Sequence, residues 1–491
     1  MTDRAPGATA EIARHRAGSG VPLGAMSRLL IRNAEVNGRQ CAVRIRSGRI
    51  QDLAPALPRE SAEEEIDAAG GALVPGLTDH HLHLFALAAS LSSLQCGPPD
   101  VRCREDLRSA LHRAAPDRHG WIRGVRYHEQ VAGHLDATGL DTLRSDVPVR
   151  VQHRSGALWV LNSRAAAAVG LADGRDPGIE RAPSGQPTGR LWRADAWLRA
   201  RLPADTPPSL TTVGRRLARY GVTAVTDATP RLSSDSLTCL ADAAASGQLP
   251  QRLLLLGAPL GTVADARPEP GPWKIVLADS GLPDFDRLTD EISAAHGHGR
   301  AVAVHTVTAA SLALTLAALE RSGSHPGDRL EHAALVPAEA LPVLRRLGLR
   351  VVTQPGFLAD RGDDFLQGTP PAEHPCLYRC GTLIRAGIPL ALSSDAPYGP
   401  LDPWVVMRAA TTRLVPDGRT AGPAERLTST QALSAYLSPA SSPGSPHRPL
   451  QPGSTADLVL LAEPLNEALT HPSADLVRLT LIDGVVHHAR T

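Results

Sequence analysis

Lysine is almost absent from this chain. Of 491 residues only Lys274 is a lysine, so fifty of the 51 basic side chains are arginines. It sits in the apolar run Trp273-Lys274-Ile275-Val276-Leu277, where a leftover surface charge has no reason to be. In water Arg and Lys are near equivalents. Out of water they differ, because a guanidinium stays protonated whereas an ammonium can lose its proton and become a nucleophile. The first expectation is therefore a reactive amine. Other scarcities exclude whole classes. Aromatic residues make up 3% of the chain, too few for platforms on which bases stack. A net charge of +1 gives neither nucleic acid nor a membrane surface an electrostatic footprint. The six scattered cysteines do not make a disulfide framework and read as free thiols of a reducing cytoplasm, Cys376 and Cys380 included. The longest apolar stretch, Ala301 to Leu319, is broken by His305, Thr306, Thr308, Ser311 and Thr315, so no membrane span is expected. The first 27 residues, rich in Arg and small residues, lack an apolar signal core. They read as a disordered tail or as sequence upstream of a start at Met26. A cytoplasmic protein without nucleic-acid or membrane partners is the expectation, with a homo-oligomer left open.

What is present is an alternation. Residues 28–71 read as short strands joined by Asn-Gly and Ser-Gly turns, and 449–491 read the same way, with a hairpin signal at Asp483-Gly484. The two ends are expected to form one composite β-sandwich, since termini often lie close in space. Between them, over 72–448, apolar strand-like runs alternate with Ala/Leu/Arg-rich helical runs, the pattern of a parallel sheet. Eight strand candidates are countable: Ala72–His83, Val222–Ala228, Arg252–Ala258, Trp273–Asp279, Ala301–Thr306, Arg329–Ala333, Leu349–Pro355 and Ile388–Asp395. Eight predict an α/β fold of the (β/α)8 barrel type. The gap from about 95 to 210 is too long for one crossover and reads as an insertion with a strand of its own in "PVRVQHRSGALWVLN". Leaving from the C-terminal end of the first strand, it is expected to wall or lid the site.

Polar residues recur at the C-terminal ends of the candidates. The first ends in Asp79-His80-His81-Leu82-His83, in which His81 and His83 share a face and His80 points away. The fifth ends at His305, the sixth at His332 and the eighth at Asp395. Each alone reads equally well as a core histidine or a capping aspartate. Four imidazoles, a carboxylate and the lone lysine at the ends of five strands read as a metal site.

These residues resemble the amidohydrolase superfamily over nearly the whole chain. "VPGLTDHHLHL", "RLEHA" and "LSSDAP" are similar to its first, sixth and eighth strands, and "GSTADLVLL" to the segment that rejoins the head domain. "GVTAVTDA", "PWKIVLAD", "VTQPGF" and "RSGALWVLNSRA" resemble more narrowly the amidohydrolase-3 branch, which includes N-substituted formamide deformylases. The resemblance implies that Lys274 carries a CO2-derived carbamate, which only a primary amine can form, bridging two divalent metals. One ion would be held by His81, His83, Lys274 and Asp395, the other by Lys274, His305 and His332. Zinc is the first expectation for such nitrogen and oxygen donors, with manganese, iron or nickel as alternatives, and one metal instead of two stays open. The implied reaction is hydrolysis of a non-peptide C–N bond, an amide of N-formyl or N-acyl type in a small molecule, by metal-activated water. Asp395 would serve as general base and then as general acid.

One departure stands out. Where the branch often has Ser-Gly-His, this chain has Ser155-Gly156-Ala157, with His153 as a substitute or as a buried polar residue. Gln354, Arg379, Tyr398 and Trp404 are further candidates for the substrate pocket. Rival readings are a cyclic amide or imide hydrolase, a heterocycle deaminase, which Thr308 in place of the usual Glu disfavours, and a degenerate barrel kept as a binding scaffold.

Overall fold

The computed structural model describes residues 28–204, 207–263, 265–278, 281–447 and 449–490. Residues 1–27, read as a tail, lie outside the described residues, as does Asp279 at the end of its strand candidate. The described chain divides into two compact units, one from residues up to Leu84 together with those from Ser209 onward, the other Phe85–Pro208.

In the first unit eight apolar runs form parallel strands. They are β1 (Leu77–Leu82), β2 (Val222–Asp227), β3 (Arg252–Leu255), β4 (Trp273–Val276), β5 (Val302–Thr306), β6 (Arg329–His332), β7 (Arg350–Thr353) and β8 (Leu390–Leu392). β1, β2 and β3 run side by side in one sheet and β4 to β8 in another, in chain order. Backbone hydrogen bonds also link the sheet edges: Lys274 N donates to Leu256 O at 3.1 Å, and Asp395 N to His81 O at 2.8 Å. Such strands are buried on both faces, which is why they read as unbroken apolar runs rather than alternations.

The first candidate, Ala72–His83, is two strands. Leu73–Pro75 pairs antiparallel with Leu458–Leu461, whereas Leu77–Leu82 pairs parallel with β2. Gly76 is the break: a Cβ there would lie 2.1 Å from Thr223 Oγ1, so only glycine lets the chain pass from one sheet to the other. The head strands therefore extend to Pro75. Two four-stranded sheets, one from residues 28–67 and one from Leu73–Pro75 with the C-terminal strands, share a single apolar core of Ile31, Val43, Ile45 and Ile66 with Leu458, Leu460, Leu479 and Leu481. Asp483 and Gly484, at φ 49° and 73°, make the tight turn of the last hairpin.

The second unit has its own six-stranded sheet and its own apolar cores. "PVRVQHRSGALWVLN" gives two strands, Val149–His153 and Leu158–Leu161, paired antiparallel, not one. The turn between them contains Gly156 at φ 76°, a conformation that splits the apolar run. Among the described residues no helix is long and apolar enough to cross a membrane, and all six cysteines are free.

Candidate active site

The strand ends gather their polar residues. Asp79, His80 and His81 are buried on β1, as are Lys274 on β4, Arg329, Glu331 and His332 on β6, and Asp395 after β8. The donor atoms of His81, His332 and Asp395 lie within 4.8 Å of one another. His81 Nε2 is 3.6 Å and His83 Nε2 3.3 Å from Asp395 Oδ1, and His332 Nδ1 is 3.8 Å from Oδ2. The His305 ring stands edge-on to His332 with centroids 4.4 Å apart. Five of the six residues expected to bind metal are thus in one group.

Lys274, the sixth, is 3% exposed. Burial brings its amine down to about 8, against the pull of Glu331 and Asp395, which favour the charged form. Among the described residues Lys274 Nζ has no hydrogen-bond partner, and neither do His81 Nε2 and Asp395 Oδ1. A buried polar atom left unpaired costs about 1–3 kcal/mol, so three in one cluster require an explanation. A cation supplies one, because imidazole nitrogen and carboxylate oxygen are the donors that divalent transition metals take. The residues fit the group.

Each histidine is oriented by a neighbour. His81 Nδ1–H donates to the Glu331 carboxylate, which also accepts from Arg329 Nε at 2.6 Å. His332 Nδ1–H donates to Gln354 Oε1 at 2.8 Å, and Gln354 Nε2 donates in turn to Ser393 Oγ at 2.9 Å. Burial lowers both rings well below their ordinary value, so each is a neutral imidazole with its Nε2 lone pair free, and that of His81 faces Asp395 Oδ1. Asp79 accepts from the Ser394 and His81 backbone N–H groups, yet burial lifts its carboxyl to about 7. His80 turns away, to Ser438 Oγ at 3.1 Å.

The pocket candidates separate. Tyr398 stands beside the histidines, its ring 5.6 Å from His83. Gln354 is fully buried, and its amide bonds His332 at one end and Ser393 at the other. Trp404 is a core residue, wholly buried, with its indole N–H on Tyr220 O at 3.0 Å. Arg379 donates to Val336 O and pairs with Glu425, so its charge is held within the fold.

His153 belongs to the second unit. Its Nε2 is 3.0 Å from Glu129 Oε2, and His128 Nε2 is 3.8 Å from the same oxygen. These three also form a close donor group. Their tautomers work against a metal: His153 Nδ1 accepts the Ser155 backbone N–H and His128 Nδ1 accepts that of Gln130. Each ring must then carry its proton on Nε2, pointing at Glu129. His153 has both ring nitrogens bonded, to Glu129 and to Ser155.

Glu331 and Arg329 were not foreseen, although two charges spaced i and i+2 inside the strand "RLEH" are a sign of one charged inward face.

Comparison with known proteins identifies the family. The family model of the amidohydrolase family, Amidohydro_3, matches residues 64–488. An N-substituted formamide deformylase of Arthrobacter pascens is 27% identical, over 95% of this chain and 99% of its own. A putative amidohydrolase of Bacillus subtilis is 26% identical, over 71% of this chain and 75% of its own. Among solved structures, an uncharacterized metal-dependent hydrolase from Pyrococcus horikoshii has the same fold, with a TM-score of 0.69 at 19% identity over 94% of this chain and all of its own. With its histidines, aspartate and buried lysine at the ends of parallel strands, this chain belongs to the amidohydrolase family and is a hydrolase of non-peptide C–N bonds.

Proposed function

We propose that the chain is a metal-dependent amidohydrolase acting on the amide of a small N-formyl or N-acyl amine, through one or two divalent ions, zinc first. The reading is carried by one observation: His81, His332 and Asp395 converge, and the buried atoms His81 Nε2, Asp395 Oδ1 and Lys274 Nζ lack any partner among the described residues. It also takes the two parallel sheets as one closed eight-stranded barrel, with residues 28–75 and 449–491 as a sandwich beside it. The deformylase relative supports the N-formyl end of the substrate range.

His81, His83, Lys274, His305, His332 and Asp395 are the residues that would hold the metal. A divalent cation supplies Lewis-acid polarisation of a carbonyl and lowers the pKa of water towards about 7. The chain supplies the rest. Asp395, the carboxylate of this group, would take a proton from water and return it to the departing amine. Gln354 and Glu331 fix which nitrogen of His332 and His81 is bare. Lys274, with an amine near 8 instead of 10.5, has a neutral fraction at physiological pH, as addition of CO2 requires. Its carbamate would be anionic, matching the surrounding imidazoles and cations.

The test is metal content and turnover together. Protein reconstituted with zinc, manganese, iron or nickel is assayed against N-formyl amines, N-acyl amines and cyclic imides. Metal-dependent release of amine from the open-chain amides is expected. Turnover unaffected by complete metal removal would overturn the reading, and turnover of the cyclic imides alone would move the substrate class.

A further inference from the structure

Two charged side chains occupy β6 where a strand interior ordinarily takes apolar ones. Arg329 and Glu331 are two positions apart, so they share one face, and they are 1% and 0% exposed. Charges taken out of water persist only when paired and hydrogen-bonded. Arg329 Nε meets Glu331 Oε1 at 2.6 Å, and the other carboxylate oxygen takes the Nδ1 hydrogen of His81, which belongs to β1 in the other sheet. Arg329 Nη2 reaches the neighbouring His80 carbonyl at 3.5 Å. An apolar pair of similar volume would brace β6 against β1 without this desolvation. Bracing alone gives no reason to aim a carboxylate at one nitrogen of one imidazole.

We infer that Arg329 and Glu331 are a positioning dyad that keeps the proton of His81 on Nδ1 and presents Nε2 as a bare donor to the cation, a role that rests on the metal reading above. A neutral imidazole carries one proton. With Nδ1 donating to Glu331, the lone pair belongs to Nε2, the atom that faces Asp395 Oδ1 at 3.6 Å and lacks a partner among the described residues. A carboxylate behind a ring also makes the far nitrogen a stronger donor. Arg329 acts through Glu331, by occupying one oxygen and leaving the other for His81. His332 has a neutral counterpart in Gln354. The two histidines are therefore held by partners of different charge, and the site's grip on a cation is asymmetric, stronger through His81.

The experiment is chelator competition on the cobalt(II)-loaded full chain. Glu331→Gln is expected to weaken cobalt binding by about 10–100-fold, the usual effect of removing a carboxylate behind a metal-binding histidine. Glu331→Asp should recover most of that loss, and Gln354→Leu should cost less than Glu331→Gln. Arg329→Gln combined with Glu331→Gln should bind no more weakly than Glu331→Gln alone. In metal-free wild-type protein, nitrogen NMR of His81 should find the proton on Nδ1, and Glu331→Gln should give a mixture of tautomers. Unchanged cobalt affinity in His81→Ala would defeat the metal reading itself. Loss of cobalt in His81→Ala together with wild-type affinity in Glu331→Gln would overturn the dyad and leave the metal reading standing. If Glu331→Gln fails to fold, the wild-type tautomer decides alone: a proton on Nε2 refutes the dyad.

Discussion

Lys274→Met should make the metal-free protein more stable while abolishing its function. Lys274 is 3% exposed, and burial brings its amine from 10.5 to about 8 despite the opposing fields of Glu331 and Asp395. That difference corresponds to about 3 kcal/mol of unfavourable charge burial in the folded state. The sign follows from proton binding. Below about pH 8 the amine is charged in both states, and the folded state bears the full penalty. Between about 8 and 10.5 the unfolded chain binds more protons than the folded one, so wild-type stability rises with pH. Above 10.5 the penalty is gone. Methionine fills a similar volume without a charge, so its advantage should be about 3 kcal/mol at pH 7 and should shrink towards zero by pH 10.5.

Urea unfolding of metal-free, CO2-depleted wild type and Lys274→Met at a series of pH values measures this directly. The informative quantity is the difference between the two proteins, in which titrating groups remote from Lys274 cancel and the amine and the groups coupled to it remain. A Met variant no more stable than wild type at pH 7 would mean that the amine is not held charged in a desolvated setting. An advantage that persists unchanged to pH 10.5 would mean that it arises from packing and not from the proton. With metal and CO2 restored the order should reverse, since wild type gains a ligand-bound state that the Met variant lacks.

Three other outcomes are expected. His81→Ala and His332→Ala should each lose bound metal and turnover together while circular dichroism stays that of the wild type; full metal content in both would remove these histidines from the site. Asp395→Asn should keep much of its metal but lose turnover by about 10²–10⁴-fold, because the amide cannot accept the proton; wild-type turnover would exclude Asp395 as the base. Lys274→Ala should recover part of its metal and activity in acetate or propionate, which enter the vacated space as a carboxylate, whereas Lys274→Arg should recover none, its guanidinium being fixed in the protonated form. An active Arg variant would refute the carbamate.

Much of the architecture was legible because burial on both faces writes itself as an apolar run. Val222–Asp227 and Val302–Thr306 are cases in which pattern and strand coincide nearly residue for residue. Breaks inside apolar runs were harder to read. At Gly76 the break depends on how closely Thr223 approaches, a contact between strands that no local pattern encodes. The proximity of His81, His332 and Asp395 was legible because polar residues end strands in a repeated way. Gln354 and Trp404 could not be sorted, because a buried side chain with a satisfied hydrogen bond and a side chain lining a pocket look alike in sequence. Only the partners, His332 and Ser393 for one and Tyr220 for the other, tell them apart.

The backbone at the strand ends accounts for a further part that alternation hides. In a regular strand Glu331 and His332 would point to opposite faces, yet both touch His81. Glu331 accepts its Nδ1 hydrogen, and the His332 ring lies 4.9 Å from it, centroid to centroid. The chain achieves this by leaving β geometry at once: His332 has φ 68° and Ala333 φ 44°. Asp395, after β8, does the same at φ 52°. Left-handed conformations cost a residue with a Cβ roughly 1–2 kcal/mol each, and glycine would remove that cost. On the proposed reading, glycine is ruled out at 332 and 395 because the site would lose its imidazole and its carboxylate. The strain is therefore carried by the residues that converge, and it is what lets two consecutive side chains of β6 serve one imidazole of β1.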